Sequence, residues 1–375
     1  MRPAFFTLAV ILGVTQLGVS QTVSGSAEGF AAGVTGGGSV EAQYPSDIDE
    51  LKEWLTDDTA RVIVLNQEFD FTDSEGTTSG TVCASWGTGD KCQKIIQDDC
   101  GDSTALSATW YTAATKPIDV ASNKTILGVE DKGIIKGKGL RFRDGASNII
   151  VQNIQVSDLN PEYVWGGDAI SFDGSDLIWI DHVTTARTGR QHYVFGFDTS
   201  TRVTLSNNFI NGETPYSTGC DGYTYWTFEM VGKADRITLQ NNYIYKTTGR
   251  SPALSGGTLL HAVNNVWEDN NGHALEGGEA TAKGLFEGNV WSGVNTIIGD
   301  YKGVLFTSPD SSTNEQCNSA LGRSCVVNLA TDSGELTAYK DTSFFTDFSG
   351  LKIAPATSAS EAQANVPSNA GAGKL

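Results

Sequence analysis

Short β-rich runs, each ending on polar side chains, follow one another along the chain from about residue 115. Six of them align as SNIIVQNIQV, SDLIWIDHVT, TRVTLSNNFI, DRITLQNNYI, TLLHAVNNVW and KGLFEGNVW. Alternate apolar residues, such as Ile178 and Ile180 or Val203 and Leu205, are typical of strands with one buried face. No helical pattern of useful length lies between the runs, so the strands are not joined as βαβ units.

Polar residues recur at the ends of these runs at intervals of 23 to 34 residues. One strand motif per interval of this length is typical of a solenoid, in which each coil buries its apolar face against the next. An asparagine at each turn can hydrogen-bond its counterpart on the neighbouring coil and satisfy buried polar groups. The pattern predicts an all-β parallel β-helix with equivalent turn positions at Asn153, His182, Asn208, Asn242, Asn265 and Asn289.

A β-sandwich is the competing fold. Its hairpins favour two-residue Asn-Gly turns between paired strands. The pairs Asn211-Gly212 and Asn271-Gly272 do not fall between paired strand-like runs, which favours the β-helix.

A helix is expected to cap the open N-terminal end of the solenoid. The residues Ser46-Asp47-Ile48-Asp49 resemble a capping box. The apolar residues that follow fall on one helical face: Ile48, Leu51, Trp54 and Leu55.

The first 20 residues read as a secretion signal rather than as part of the fold. A short charged start precedes an apolar run from Ala4 to Val19, and small residues stand before Gln21. The alternative, a membrane anchor, needs about 20 apolar residues. We therefore expect residues 21–375 to form a single secreted domain, with residues 355–375 as a surface tail.

The chain carries 44 acidic and 25 basic residues, a net charge of -19. This charge argues against nucleic acid or an anionic membrane as a partner. It also disfavours a densely anionic substrate unless local cations or a metal intervene. Solubility of a secreted protein explains the excess of acids equally well.

Six cysteines in a secreted chain indicate disulfides, for which 15 pairings are possible. Proximity favours only Cys317 with Cys325. A zinc site is not expected, because the chain has no C-x-x-C motif and only four histidines. Asn123 begins a glycosylation sequon within a strand-like run.

Two arginines, Arg187 and Arg190, follow a buried strand in HVTTARTGRQH, which is unexpected in so acidic a protein. The long loops of a solenoid gather on one flank and form a groove that suits an extended polymer. Aromatic residues concentrate in these connections, where they can pack on sugar rings or simply seal the loops: Trp86, Trp110, Trp165, Tyr223, Tyr225 and Trp226.

Several motifs together resemble the fungal pectin lyases of the pectate lyase superfamily, polysaccharide lyase family 1. They are WGGDAI, LIWIDHVTTARTGRQHYV, DGYTYW, TTGRSP and LLHAVNNVW, with SGSAEGFAAGVTGGGS and FDFTDSEGTT near the start. The likeness runs from about Val23 to the tail. It implies a right-handed parallel β-helix with long loops that form a substrate groove.

The resemblance also explains the two arginines. Pectate lyases follow the same W-I-D-H strand with acidic residues that bind calcium, whereas this chain has Arg187 and Arg190 there. Elimination across C4–C5 of a galacturonate develops negative charge on its carboxyl group. A carboxylate then needs a metal to offset the second charge, but in a methyl ester fixed arginine donors suffice.

The resemblance assigns roles to three residues. Asp168 matches a catalytic position and is expected to orient an arginine, and Arg190 is expected to hold the substrate carboxyl group. Arg250, in TTGRSP, matches the arginine that removes the proton, although a guanidinium pKa above about 12 is far from that of a good general base. Each of the three has a simpler interpretation as a structural ion pair.

Further expectations follow from the same resemblance. The substrate is methyl-esterified pectin, cleaved internally by β-elimination, with no cofactor or metal and with the protein acting as a monomer. Expected substrate-binding residues are Trp86, Trp165, Tyr225, Trp226 and Arg187, the last of which is otherwise a loop ion pair. The implied disulfides are Cys83–Cys100, Cys92–Cys220 and Cys317–Cys325.

Three alternative functions remain: a calcium-dependent pectate lyase, a glycoside hydrolase, and a β-helical adhesin or carbohydrate-binding module. Asp173 and Asp176 could form a hydrolase carboxylate pair, but FDGSD is more typical of a turn. We interpret His182 as an interior histidine, and leave His192 open to either role.

Overall fold

Parallel strands stack coil upon coil over most of residues 21–375, the part of the chain that this computed structural model describes. The secretion signal expected in residues 1–20 lies outside the described residues. The chain folds as a right-handed parallel β-helix, so the predicted fold class is confirmed and the β-sandwich is excluded.

The first face of the coil is a parallel sheet of ten strands. In spatial order these are Ala42–Gln43 (β1), Arg61–Leu65 (β2), Lys124–Gly128 (β8), Ser147–Gln152 (β11), Asp176–Asp181 (β15), Thr201–Ser206 (β18), Arg236–Gln240 (β21), Leu259–Val263 (β24), Lys283–Glu287 (β26) and Val304–Phe306 (β28).

A 15-stranded sheet supplies the other two faces. The second face contains Glu68–Asp70 (β3), Ile134–Lys136 (β9), Gln155–Leu159 (β12), Thr184–Thr188 (β16), Phe209–Asn211 (β19), Tyr243–Thr247 (β22), Val266–Gly277 (β25), Val290–Tyr301 (β27) and Leu329–Thr331 (β29). The third face contains Ile118–Asp119 (β7), Leu140–Arg143 (β10), Ile170–Asp173 (β14), Tyr193–Phe195 (β17), Phe228–Met230 (β20) and Ala253–Leu254 (β23), and joins the second through β25.

A small four-stranded sheet lies outside the coil and forms an arm. Its strands are Thr77–Ala84 (β4), Lys94–Ile96 (β5), Thr104–Tyr111 (β6) and Tyr163–Val164 (β13). The helices are Ile48–Thr56 (α1), Ser311–Asn314 (α2), Asn318–Leu321 (α3) and Ala359–Asn369 (α4), with short 3-10 turns at Gly29–Ala31, Ala113–Thr115, Glu315–Cys317 and Phe345–Phe348.

The core consists of side chains that occupy the same position on successive coils. Ile178 and Ile180 are fully buried and pair in register with the buried residues Val203 and Leu205. On the third face, Phe172 stacks on Phe195 with ring centroids 4.4 Å apart. Each coil therefore covers the apolar face of the next, as the repeat pattern predicts.

The capping helix forms where the sequence predicts it. The carboxylate of Asp47 accepts hydrogen bonds from the backbone N–H groups of Asp49 and Glu50, so the cap residue is Asp47. Leu51 and Leu55 are fully buried in the main core, with Ile48 and Trp54 packed beside them. The helix thereby closes the N-terminal end of the core.

The predicted asparagine ladder is present from Asn208 onward. The side-chain Nδ2 of Asn208 donates to Oδ1 of Asn242, Asn242 donates to Asn265, and Asn265 donates to Asn289, at 2.8 to 3.0 Å. Asn328, which the sequence pattern did not include, accepts from Asn289 at 3.2 Å and ends the ladder. Every member down to Asn289 is fully buried.

Two predicted ladder positions were wrong by one residue. Gln152 pairs in register with Asp181, and Asp181 with Ser206, so Asn153 and His182 are equivalent to Asn207 rather than to Asn208. These residues form a separate row of left-handed turn residues, with φ of 60°, 49° and 52°. The mistake arose because consecutive polar residues in NN pairs do not reveal which of them points inward.

Three disulfides are formed: Cys83–Cys100, Cys92–Cys220 and Cys317–Cys325. They match the pairing that the family resemblance implies. Cys92–Cys220 joins the arm to the turn that precedes β20, so it fixes the arm along the flank of the coil.

The tail, residues 355–375, packs on the second face and contains α4, which the sequence did not predict. Ala362 and Val366 of α4 are buried against Val266 and Val290. Beyond the helix, Gly373 N–H donates to Oδ1 of Asn153 at 2.7 Å. Between residues 21 and 375 no helix is long and apolar enough to cross a membrane.

The predicted glycosylation residue, Asn123, lies in a turn before β8 and its Oδ1 accepts a hydrogen bond from Asn148 at 2.8 Å. The sequon hydroxyl, on Thr125, is buried and accepts a hydrogen bond from Gly37 N–H at 2.9 Å. Occupancy of this site by a glycan stays a prediction.

Asn242→Ala should lower the free energy of unfolding by about 3 kcal/mol, because it strips partners from several buried polar groups at once. Asn242 accepts from the backbone N–H of Asn208 and donates to the carbonyl of Leu205. Denaturant titration gives the measurement, and Asn66→Ala at an exposed position is the control. Equal small losses in the two variants would contradict a stabilising ladder.

Candidate active site

The candidate residues gather at the turns that connect the second face to the third. Asp168 precedes β14, Arg190 precedes β17, Trp226 precedes β20 and Arg250 precedes β23. Because these strands are neighbours in the sheet, four turns distant in sequence form one continuous surface.

Asp168 and Arg190 form a bidentate ion pair. Nε and Nη2 of Arg190 donate to the two carboxylate oxygens of Asp168 at 3.0 and 2.7 Å, and the backbone N–H of Gln191 adds a third bond at 2.8 Å. The guanidinium lies over the ring of Trp165 at 4.2 Å from its centroid. A carboxylate and an aromatic ring therefore fix the plane of Arg190.

Arg250 lies between two carboxylates and two aromatic rings. Its Nη1 donates to Oε2 of Glu229, and its Nε is 3.7 Å from Oε1 of Glu276. The rings of Tyr225 and Trp226 lie 5.5 and 5.0 Å from the guanidinium carbon. Within the described part of the chain, Nε of Arg250 is buried without a hydrogen-bond partner, so the two carboxylates do not satisfy every donor of this guanidinium.

Gln191 connects the two arginine clusters. Its backbone N–H binds Asp168, and its side-chain Nε2 donates to Oε2 of Glu229 at 3.1 Å. Glu229 in turn accepts from Arg250. The fully buried Oε1 of Gln191 has no partner among residues 21–375. One side chain thus sets the spacing between the two arginines.

Glu276 holds the far side of this site. It accepts hydrogen bonds from the hydroxyl of Tyr225 at 3.0 and 3.1 Å, and its Oε2 is bonded to Nε2 of His273. Burial alone would raise the pKa of Glu276, but His273, Tyr225 and the charge of Arg250 together bring that pKa below its ordinary value.

The glycines of two motifs allow close packing at the site. A Cβ added to Gly189, in RTGRQH, would lie 2.5 Å from the carbonyl oxygen of Tyr163. A Cβ added to Gly249, in TTGRSP, would lie 2.2 Å from the ring of Tyr225. Neither position has room for a side chain, so close contacts beside Arg190 and Arg250 require glycine at both positions.

The arm brings one more aromatic residue to the site. The ring of Trp86 meets that of Trp226 edge to face, with centroids 6.2 Å apart. The indole N–H of Trp226 donates to Oε1 of Gln93 at 2.8 Å, and Gln93 also donates to the carbonyl of Gly189 at 3.1 Å. Gln93 therefore connects the arm to the turn of Arg190 and to Trp226, whose ring lies against Arg250.

Arg187 lies apart from Arg190, on the second face. Its Nε and Nη2 donate to both carboxylate oxygens of Asp158 at 2.5 and 2.7 Å. The sequence left two roles open for Arg187, that of a loop ion pair and that of a substrate-binding residue, and the ion pair is formed. The assignment of Arg187 as a substrate residue stays a prediction.

The other candidate aspartates and histidines lie outside the two arginine clusters and bond to other residues. Asp173 accepts from the backbone N–H of Asp198, and Asp176 binds Thr201 and Arg202 across neighbouring coils. His182 is bonded to Asp181, and burial lowers the pKa of His192 to about 3. His192 lies in the interior of the coil, where it is bonded to Thr185, whereas His182 is a partly exposed turn residue rather than the interior histidine that we predicted.

The residues of this site do not fit a calcium ion. Both oxygens of Asp168 already accept hydrogen bonds from Arg190, so this carboxylate lies against a guanidinium cation. Between Gln21 and Leu375 no group of three or more acidic, histidine or cysteine side chains is arranged to hold a metal.

The sequence match to known proteins is extensive. The family model described as pectate lyase matches residues 4–375. The chain belongs to the pectate lyase family. It is 78% identical over 367 residues to a probable pectin lyase A of Aspergillus flavus, with 98% of each chain covered. It is 53% identical over 359 residues to pectin lyase A of Aspergillus niger, with 94% of each covered.

Solved structures share the fold at low identity. A pectate lyase from Acidovorax avenae aligns with a TM-score of 0.60 at 14% identity, covering 98% of this chain and 99% of its own. A Bacillus pectate lyase in complex with trigalacturonate aligns with a TM-score of 0.59 at 16% identity, covering 93% of this chain and 99% of its own. At this identity they establish the β-helical architecture alone.

Glu276→Gln should make stability less dependent on pH between about pH 3 and 5. A lowered pKa means that ionised Glu276 stabilises the folded state above its ordinary value of 4.5. That contribution is lost as the pH falls through the folded-state pKa, so the wild type should weaken more steeply. Melting temperatures across this range provide the test.

The control for this test is Glu335→Gln, at an exposed position, which should keep the wild-type slope. If Glu276→Gln also follows the wild-type slope, its carboxylate is not held in the ionised form by its neighbours.

Proposed function

We propose that this protein is a secreted, monomeric pectin lyase that cleaves methyl-esterified galacturonan internally by β-elimination, without calcium. The observation that carries the proposal is the pairing of Arg190 with Asp168, in a chain 78% identical to a probable pectin lyase. The family resemblance puts this pair where pectate lyases have acidic residues that bind calcium. The aromatic residues around both arginines suit the apolar faces of sugar rings.

In this proposal Arg190 stabilises the reacting carboxyl group. Asp168 and Trp165 hold its guanidinium in place, so no reorganisation is needed when negative charge develops on the ester carbonyl. A methyl ester starts neutral, so one fixed cation offsets one developing charge. The same ester is not repelled by a protein of net charge -19.

Arg250 takes the proton-abstracting role by family resemblance. Arg250 first passes a guanidinium proton to a neighbouring carboxylate and then accepts the proton from C5. The C5–H electron pair forms the C4–C5 double bond, and the glycosidic oxygen leaves C4 with its bonding electrons and takes a proton from water. Glu229 accepts a hydrogen bond from Nη1 of Arg250 and provides a carboxylate that can share the displaced proton. Gln191 and Glu276 act as positioning residues that hold this arrangement.

Arg250→Ala should lower kcat on methyl-esterified pectin by at least about a hundredfold, since it removes the proton acceptor. The assay follows the ultraviolet absorbance of the unsaturated product. Arg202→Ala, at an arginine that is also held by a carboxylate, that of Asp176, but lies on the first face, should keep wild-type activity. Full activity of Arg250→Ala would contradict the assignment of this site. Absence of eliminative activity in the wild type would favour a carbohydrate-binding protein.

A metal chelator should leave the rate on methyl-esterified pectin unchanged, because a guanidinium rather than a metal ion faces the substrate. The rate should fall as ester groups are removed, since a free carboxylate brings a second charge that no metal offsets. Activity that is lost with chelator and retained on de-esterified polymer would favour a calcium-dependent pectate lyase. New reducing ends without absorbance would indicate a hydrolase.

A further inference from the structure

A second cleft of about 910 Å³ lies on the other side of the arm from the arginine site. Its floor is the outer surface of the second face, and its walls are the arm and the turn at residues 160–163. None of its lining residues belongs to the arginine clusters. The turn itself separates the two sites: Tyr163 lines the cleft, whereas Trp165 stacks on Arg190.

The floor of the cleft is polar and its charges are largely paired. Asp70 of β3 accepts from Nζ of Lys136 of β9 at 2.8 Å, and Asp158 of β12 is paired with Arg187. Burial would raise the pKa of Asp158, but Arg187 lowers it below the ordinary value. These carboxylates stay ionised and remain acceptors for hydroxyl groups.

The charge of the lining selects against an anionic ligand. Four carboxylates contribute to the cleft against a single lysine: Asp70, Asp73, Asp158 and Glu162, with Lys136. Three of these carboxylates are paired with Lys136, Arg187 and Lys94, so a free uronate would find every one of these cations already engaged. An uncharged molecule with many hydroxyl groups would instead find acceptors throughout the floor.

The wall of the cleft is aromatic and rigidly held. Tyr111 is 42% exposed, yet its backbone is fixed on both sides by Asn160, whose Oδ1 accepts from Tyr111 N–H at 3.0 Å and whose Nδ2 donates to Tyr111 O at 2.9 Å. Trp110 packs 6.1 Å from Tyr163 and against Gly80, where an added Cβ would lie 2.9 Å from its ring.

We propose that this cleft is a second carbohydrate-binding site, which takes an uncharged pyranose segment. Aromatic faces pack on the C–H surfaces of sugar rings, and ionised carboxylates accept from sugar hydroxyls. Two sources share this chemistry: the methyl-esterified galacturonan that the enzyme cleaves and a neutral galactan. Binding here would hold polymer beside the arginine site and raise its local concentration.

The test uses Arg250→Ala protein, so that no probe is cleaved, and isothermal titration with three probes. They are a methyl-esterified oligogalacturonide, its de-esterified form and a β-1,4-galactan oligosaccharide. A neutral probe should bind the cleft, and adding Tyr111→Ala should weaken that binding at least tenfold. Tyr111→Phe, which keeps the ring, should bind normally, as should Tyr44→Ala, an exposed tyrosine elsewhere.

The outcomes distinguish the sources. If Tyr111→Ala weakens binding of the esterified probe alone, the cleft is assigned to the substrate backbone. If it weakens binding of the galactan alone, the cleft is assigned to neutral chains. The proposal is overturned if Tyr111→Ala weakens the binding of neither the esterified probe nor the galactan. It is also overturned if the de-esterified probe binds the cleft equally well. Melting temperatures verify folding, and Tyr216→Ala, at another lining residue, provides a second variant should Tyr111→Ala be unstable.

The same variant separates this proposal from the proposed function. In the otherwise wild-type chain, Tyr111→Ala should raise KM for polymeric pectin at least threefold, while kcat on a short esterified oligosaccharide stays within twofold. Failure of the proposed function would instead appear as absence of eliminative activity in the wild type, whatever the cleft binds.

Discussion

The register between stacked coils is the constraint on which the rest of this structure depends. Parallel strands lie about 4.8 Å apart, so a residue at one position of a coil touches the residue at the same position of the next. The buried ladder from Asn208 to Asn328 fixes that register at one corner. At the next corner, between the second and third faces, the same spacing sets Asp168, Arg190, Trp226 and Arg250 on successive turns.

That arrangement lets an acidic protein hold two arginine side chains close together. Arg190 and Arg250 are each paired with carboxylates, so the site as a whole is not strongly basic. What distinguishes them is orientation: Asp168, Glu229 and Glu276 hold each guanidinium plane, while the aromatic rings exclude water from its faces. In the proposed function, charge placed in this way acts on a group that becomes anionic only during reaction.

The sequence predicted the features that repeat and missed those that do not. The strands, the capping helix and most of the ladder follow from periodicity alone, but Asn153 and His182 were assigned one residue out because paired asparagines are ambiguous. The helix at Ala359–Asn369 was missed, since its Ala- and Ser-rich stretch is only weakly amphipathic and is held by packing on Val266 and Val290.

The candidate site was predicted unevenly for a similar reason. Motifs identify Asp168, Arg190 and Arg250, but Glu229 and Glu276 stand in strands with no local signal, and only stacking brings them to Arg250. Gln191 lies inside RTGRQH, so its position was visible and its role was not. The role depends on a neighbour 38 residues away.

Nε of Arg250 and Oε1 of Gln191 lie at the junction of the two arginine clusters. Both are buried polar atoms that have no hydrogen-bond partner in residues 21–375. Buried polar groups are normally satisfied because an unmet one costs free energy. The network of Asp168, Gln191 and Glu229 keeps both atoms in place despite that cost. Because both atoms are closed off from solvent, the side chains around this junction would have to move before a ligand could bond to either one.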